Sequence, residues 1–261
     1  MTWRRTLPAL AGGLLIAGAA VSAAAGERML PEQAPPALPS FVEQNRSFDD
    51  LRGRNLAGAD LTRAILISVR MPRVDLSRAI LTEAVLTGSL ATDADFSEAD
   101  LTRAVLERTN LSRSRFARAN LTDAKLYQAI LGEAILTDAD LKDAVLTGAS
   151  LHRARLTGAK LQGANLERAT LTRADLSEAD LTGADLRGAN LSEAILSGAI
   201  LESALYNAST KWPAGFRPAE SGAILAALDP EARGPIPVPA SVTPSKSGSS
   251  SRSRSAGNQN R

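Results

Sequence analysis

From Leu51 to Tyr206 a large apolar residue returns at every fifth position. Of the 32 positions in this phase, 27 hold Leu, two hold Phe (Phe96, Phe116), and the others hold Met71, Ala91 and Tyr206. Two residues earlier, 25 of the 32 positions are Ala; the residue between is Asp or Asn 14 times, and the residue after is Ser or Thr 17 times. Five residues of α-helix advance about 500°, so these leucines would spiral around a helix and give it no apolar stripe. In an extended chain Ala and Leu, two apart, share one face. The three-residue step from Leu to the next Ala reverses that face unless the chain bends between them. A bend every five residues winds the chain into a coil with Ala and Leu along its axis, which is a β-solenoid.

The residue two after each Leu is rich in charge and reports how many units close a turn. With 15 residues per coil, stacked charged pairs split six opposite to six like; with 20 the split is eleven to two, and with 25 it is nine to two. Three-sided coils are excluded. Four sides are preferred over five, because four converging leucines fill an axis that a wider coil leaves partly empty. Units such as Ala174-Asp175-Leu176-Ser177-Glu178 and Ala189-Asn190-Leu191-Ser192-Glu193 give the pattern A(D/N)LXX. Residues 51–206 thereby resemble the pentapeptide repeat family. That resemblance implies an all-β, right-handed quadrilateral β-helix of four pentapeptides per coil, here about eight coils and about 38 Å long at ~4.8 Å per coil.

Irregular units point to local trouble. Val69 and Val74 replace Ala around Met71-Pro72, which predicts a widened coil or a bulge. Ala91 replaces a core Leu, which predicts underpacking or a small backbone shift. Asp49 and Arg54 sit at Ala positions, so the first units should be frayed. An open solenoid end exposes strand edges and needs a cover. Ser40-Phe41-Val42-Glu43 reads as a capping box on a short helix, with Phe41 and Phe48 available as plugs. After the repeats, Lys211–Phe216 resembles the aromatic exit of family members, and a helix is expected from Pro218 to Leu228. Trp212, Phe216 and Leu225 are the candidate C-terminal cover.

The domain plan is a signal at 1–25, a linker and N-terminal cap at 26–47, a solenoid at 48–208, a C-terminal cap at 209–233, and a disordered basic tail at 234–261. The signal rests on Arg4 and Arg5, an apolar Leu7–Val21 stretch and the small run Ser22-Ala23-Ala24-Ala25. It predicts a periplasmic or secreted protein, with an uncleaved membrane anchor as the alternative. The tail from Gly234 is dominated by Pro and then by Ser, Arg, Gly and Asn.

Composition narrows the chemistry. Without cysteine there is no disulfide, thiolate site or cysteine nucleophile; His152 is the only histidine, so triads and histidine metal clusters are excluded. The repeated Asp residues occur singly on each face, unlike the six to eight converging oxygens that Ca²⁺ takes, and read as solvated or turn-stabilising groups. The glycines at 158, 163, 183 and 188 belong to corners and lack a GK[ST] phosphate-loop context. No cofactor, metal or small-molecule substrate is indicated, and the reading is non-catalytic. Family resemblance also brings the DNA-mimicking, gyrase-interacting role as an alternative. It is disfavoured by export and by a repeat block of 19 basic and 22 acidic residues whose charges alternate. Nucleic-acid binding by the tail is disfavoured because no aromatics interleave its Lys246, Arg252, Arg254 and Arg261; weak attraction to an anionic envelope surface is open to it. One outward column, Ile65, Val85, Val105 and Val145, interrupted by Lys125, is the candidate strip for a protein partner or for self-association. β-branched residues also favour strands for their own sake.

Overall fold

The structure is a computed structural model that describes residues 40–47 and 49–226. From Ser40 onward, every isolated bridge but the last joins residues 20 apart in parallel, as in Asp60↔Ile80, Ile65↔Val85, Arg70↔Leu90 and Asp75↔Asp95. Four pentapeptides therefore close each coil. The sides are numbered here by the units centred on Leu51 (side 1), Leu56 (side 2), Leu61 (side 3) and Leu66 (side 4).

A full accounting of backbone donors explains the repeat. The Leu N–H bonds to the next coil (Leu56 N to Asp75 O, 2.7 Å), and the corner N–H does the same (Gly58 N to Ser77 O, 2.8 Å). The residue before Leu bonds back to the previous coil (Asp75 N to Arg54 O, 2.9 Å), and the Ala N–H closes the turn (Ala59 N to Leu56 O, 3.0 Å). That leaves the N–H after Leu. Where the residue before Leu is Asp or Asn, its side chain takes this fifth donor: Thr62 N donates to Asp60 Oδ1 at 3.0 Å and Thr62 Oγ1 donates to the same oxygen at 2.7 Å. The same arrangement recurs at Asp75, Asn110, Asn120, Asp175 and Asp180. The preference for Asp or Asn before Leu, with Ser or Thr after it, is thus a turn-capping device.

The corner residue two after Leu has a left-handed backbone throughout, φ 53–61° where it is not glycine. Left-handed backbone costs an L-residue about 1–2 kcal/mol. The corner N–H bond to the next coil, repeated along the stack, offsets that cost. The Ala and Leu side chains are buried along the axis from Leu56 to Leu191.

The irregular units behave differently from expectation. At Val69 and Val74 the ladder runs on without a bulge, from Asp50 to Arg70 to Leu90. Both valines are buried, and the room for Val74 comes from below, where Arg54 is exposed and leaves its Ala position vacant. Ala91 is fully buried with no shift of register. Phe96, at the next corner of the same coil, supplies the missing bulk and stacks on Phe116 with centroids 4.8 Å apart. Three Ala positions hold hydroxyls that sequence reasoning passed over. Ser89 Oγ donates to Leu66 O at 2.5 Å and accepts from Val69 N at 2.9 Å, so it replaces the turn bond of the coil below. Ser114 does the same between Ala94 N and Ala91 O, and Thr109 Oγ1 donates to Leu86 O. A small polar residue in an Ala column was the available signal.

Both ends depart from the sequence reading. Ser40–Glu43 forms no helix. It is already a repeat turn, with Phe41 in the axial phase, Ser40 bridged to Asp60 and Phe41 N bonded to Asp60 O. Arg46 takes the next axial position, its guanidinium 5.2 Å from the Phe41 ring and its Nε 2.5 Å from Asp49. The first units are loose, as expected: Leu51 is only half-buried. Phe48 and the segments 1–39 and 227–261, which include the expected signal and basic tail, lie outside the described residues. At the other end Asn207–Thr210 adds one residue, so Asn190 bridges Lys211. Thr210 Oγ1 anchors the insertion by donating to Leu186 O at 2.9 Å and accepting from Asn207 N and Gly188 N, each at 3.1 Å. The expected helix shortens to a 3₁₀ turn, Pro218–Ser221, ended by Gly222 at φ 82°. The chain then forms a strand, β2 (Ile224–Leu225), parallel to β1 (Leu205–Tyr206). Trp212 and Phe216 do pack over the axis, joined by Tyr206 edge-on to Trp212, but Leu225 is 61% exposed and covers nothing.

Candidate interaction surface

Twelve outward columns run along the coils, three on each side. Side by side their chemistry differs. Between residues 47 and 206, side 3 carries 4 basic and 8 acidic residues, and side 1, opposite, carries 6 basic and 5 acidic. At the corners the signs alternate and pair: Arg113 with Asp93, Arg103 with Glu83 and Arg173 with Glu193, each at 2.7 Å, and Arg118 with Glu98. These exposed pairs fix register more than they stabilise, at about 0–1 kcal/mol each.

Several side-3 and side-2 carboxylates are held below the usual carboxylate range. For Asp60 the cause is the Thr62 hydroxyl and then the Thr62 N–H; for Asp175 it is the Ser177 hydroxyl foremost. In each, Oδ1 is committed to its own turn, and Asp175 Oδ2 also accepts from Thr157 one coil below. Among the described residues no group of three or more His, Cys, Asp or Glu is placed to hold a metal ion. His152 sits half-buried in an outward column with Nδ1 3.1 Å from Thr172 Oγ1.

Side 4 is different. The structure stacks Ile65, Val85 and Val105 as successive bridge partners, followed by Lys125 and Val145, so the expected column is contiguous. Each of the four apolar members is half-buried and Lys125 is exposed. Ile67, in the adjoining column, is 36% exposed and extends the apolar surface. From Ile65 to Val105 the outward positions of this side (65, 67, 68, 85, 87, 88 and 105) hold no charged residue, whereas each other side carries charge in the coil from Arg70 to Glu83. Because no Asp or Asn precedes Leu66, Leu86 or Leu106, these three turns lack the side-chain cap, which returns on this side at Asn165 and Asp185. Further along, Arg108 lies over the Tyr127 ring at 6.0 Å and donates to Gln128 at 3.2 Å. Thr147, at an outward position between Tyr127 and Glu167, is only 8% exposed.

The fold and this surface define a four-sided β-solenoid that presents side-chain columns and contains no assembled reaction centre among its described residues. The family model described as pentapeptide repeats matches it in 8 copies, over residues 50–82, 79–116, 94–132, 134–173, 149–188 and 169–205. The chain belongs to the pentapeptide repeat family, whose fold is the right-handed quadrilateral β-helix and whose members are generally non-catalytic structural or interaction proteins. Among solved structures, full-length QnrB1, a plasmid-mediated fluoroquinolone resistance protein, is similar at 16% identity over 70% of this chain and 93% of its own, with a TM-score of 0.56. At that identity the likeness shows the fold alone. HetL, involved in heterocyst differentiation regulation in the cyanobacterium Nostoc sp. strain PCC 7120, is 33% identical over 64% of this chain and 89% of its own, with a TM-score of 0.28. Rfr23 of the cyanobacterium Cyanothece 51142 is 27% identical over 49% and 90%, with a TM-score of 0.33. No curated protein matches the chain significantly.

Proposed function

We propose that this protein is an exported, non-catalytic scaffold that binds a protein partner through side 4. The observation that carries the reading is the uncharged apolar column Ile65, Val85 and Val105, widened by Ile67, on a solenoid whose other sides carry charge in the same coil. Apolar surface kept exposed beside charged surface is what a recognition patch requires. Export rests on the N-terminal sequence, with its arginines, apolar stretch and small-residue run. A DNA-mimicking role is disfavoured, because the Arg–acid pairs along the corners deny these sides the continuous negative charge of a phosphate backbone.

Two measurements test it. N-terminal sequencing of the protein from fractionated cells should find a start near residues 24–26 outside the cytoplasm; intact protein in the cytosol contradicts export. A photo-crosslinking residue at position 85 should give one discrete protein adduct in native fractions, while the same residue at position 152, on side 1, gives none. Adducts that are the same from both positions, or that persist when Val105→Asp is added, rule out side 4 as the binding face.

A further inference from the structure

Two contrasting columns run side by side along one margin of side 4. At the corner between sides 3 and 4 the charges alternate through Glu43, Arg63, Glu83, Arg103 and Asp123. Arg63 lies 3.2 Å from Glu43 and 3.9 Å from Glu83, and Arg103 lies 2.7 Å from Glu83. Beside this column stand Ile65, Val85, Val105 and Lys125, in bridge register. Asp123 and Lys125 are exposed, and neither has an ion-pair partner among the described residues. The other margin of the face is small and uncharged at Ser68 and Gly88.

A column of alternating charge is complementary to its own reversal. When a second rod lies antiparallel and face to face on side 4, a two-fold axis between coils sets each corner residue against one an odd number of coils away, and so of opposite sign. Resting on the reading that side 4 binds a protein, we propose that this protein is a second copy of the chain, with the axis between the coils of Val85 and Val105. Val85 of each rod then faces Val105 of the other, Glu83 faces Arg103, and Arg63 faces Asp123. Ile67 faces Tyr127, and the aliphatic stem of Lys125 covers Ile65. The interface is closed and self-complementary, as a two-fold pair requires.

Charge selects this arrangement over its neighbours, because like charges across an interface suppress pairing. An axis passing through the coil of Val85 sets Arg63 against Arg103 and Glu83 against itself. One step nearer the start, the axis leaves Val105 opposite the polar Asn45; one step nearer the C-terminal end, it sets Glu83 against Asp143. Two parallel rods bring the column before Leu onto the column after it. Val105 then meets Glu107, and Arg103 meets Arg108. The chosen register alone among these keeps opposite signs on the charged margin and apolar residues at the centre.

Two experiments on the purified protein test the pairing. Sedimentation velocity should find a dimer, and Val85→Asp with Val105→Asp should weaken it at least about a hundredfold, since the facing apolar pairs become facing carboxylates. The chain has no cysteine, so introduced thiols report the register. Each of positions 65 and 125 lies about 14 Å along the rod from its own copy, three coils of ~4.8 Å. A disulfide spans no more than about 7 Å between Cα atoms, so mixed Ile65→Cys and Lys125→Cys proteins should cross-link at least about tenfold faster than either alone. Either variant linking to itself as fast as to the other overturns the antiparallel register. A monomer at every soluble concentration overturns self-pairing. If position 85 then still gives one foreign protein adduct, side 4 binds a different partner; if it gives none, the side-4 reading falls as well.

Discussion

The middle coils and the last coil are built from the same units, yet only the middle ones are finished. Between Leu111 and Leu191 each axial side chain is fully buried, and each side lies between two others that use its donors and acceptors. At Ile195–Ser203 the unit pattern continues unchanged, with Leu196, Ala199 and Leu201 in phase, but the neighbour above is missing on side 2 and reduced on side 3 to Gly222, bonded by Ser203 N, where Leu201 stays buried. Leu196 and Ala199 are half-buried as a result. A repeat sets which residues face the axis. Burial depends on the next coil being present.

The widest separation between the two regions should come from core truncation. Leu141→Ala, in a fully buried axial site, should cost ~2–5 kcal/mol through lost transfer energy and a cavity that the stacked coils cannot collapse. Leu196→Ala should cost about half of that or less, because the side chain is already partly solvated. Chemical denaturation of both variants reads the difference directly, and equal costs would mean that the last coil is as well covered as the middle.

A polar exchange sharpens the contrast. Thr210→Val removes the hydroxyl that holds the one-residue insertion and leaves the half-buried Asn207 N–H without a partner, while Gly188 N keeps Asn207 Oδ1 and Leu186 O keeps Ala189 N; a loss of about 1–3 kcal/mol is expected. Thr109→Val, in mid-rod, should cost less, because Leu86 O keeps its bond from Ser89 N. The reverse order in thermal melts would show that the insertion does not depend on Thr210.

Acid should act on the capped turns. The folded-state pKa values of Asp60 and Asp175 are lowered, so their stabilising contribution is complete above the unfolded value of about 3.9 and is lost as pH falls through the folded value. The melting temperature should be nearly constant from about pH 7 to pH 5 and decline below about pH 4. Asp175→Asn should keep its stability at neutral pH and lose part of the acid dependence, since Asn110 and Asn120 cap their own turns with a neutral oxygen. An unchanged acid midpoint in that variant would assign the loss to other groups. The smallest effect belongs to the exposed corner pairs: Arg113→Ala should leave the denaturation midpoint nearly unchanged, and a clear loss would show the Arg113–Asp93 pair to be structural.

Much of this was legible in the residues. The five-residue phase gives the axis; the signs at Arg73, Asp93, Arg113 and Glu133 exclude a 15-residue coil, because stacked neighbours need complementary charge, and the packing of four converging leucines favours 20 residues over 25. The column of Ile65, Val85, Val105 and Val145 follows from the same count. The misreadings share one cause, which is that they required knowing what lies one coil away. A substituted residue such as Val74 or Ala91 looks like a defect along the chain. Across the stack it is relieved by Arg54 turning outward or by Phe96 filling the axis. Ser40–Glu43 carries a helix-capping pattern, but a strand ladder was already available at Asp60.

What the sequence by itself determined is the local rule: which residues turn inward, where each turn falls, and a preference for four units in each coil. Those depend on contacts within five residues, or on a repetition that makes every coil's neighbour the same. Only the tertiary structure decided how the two ends are met, that Ser89 and Ser114 bridge turns of the coil below, and that side 2 of the last coil has no backbone partner above it among the described residues. Each of these turns on a neighbour some 20 residues away, where the repeat has stopped and one unit no longer predicts the next.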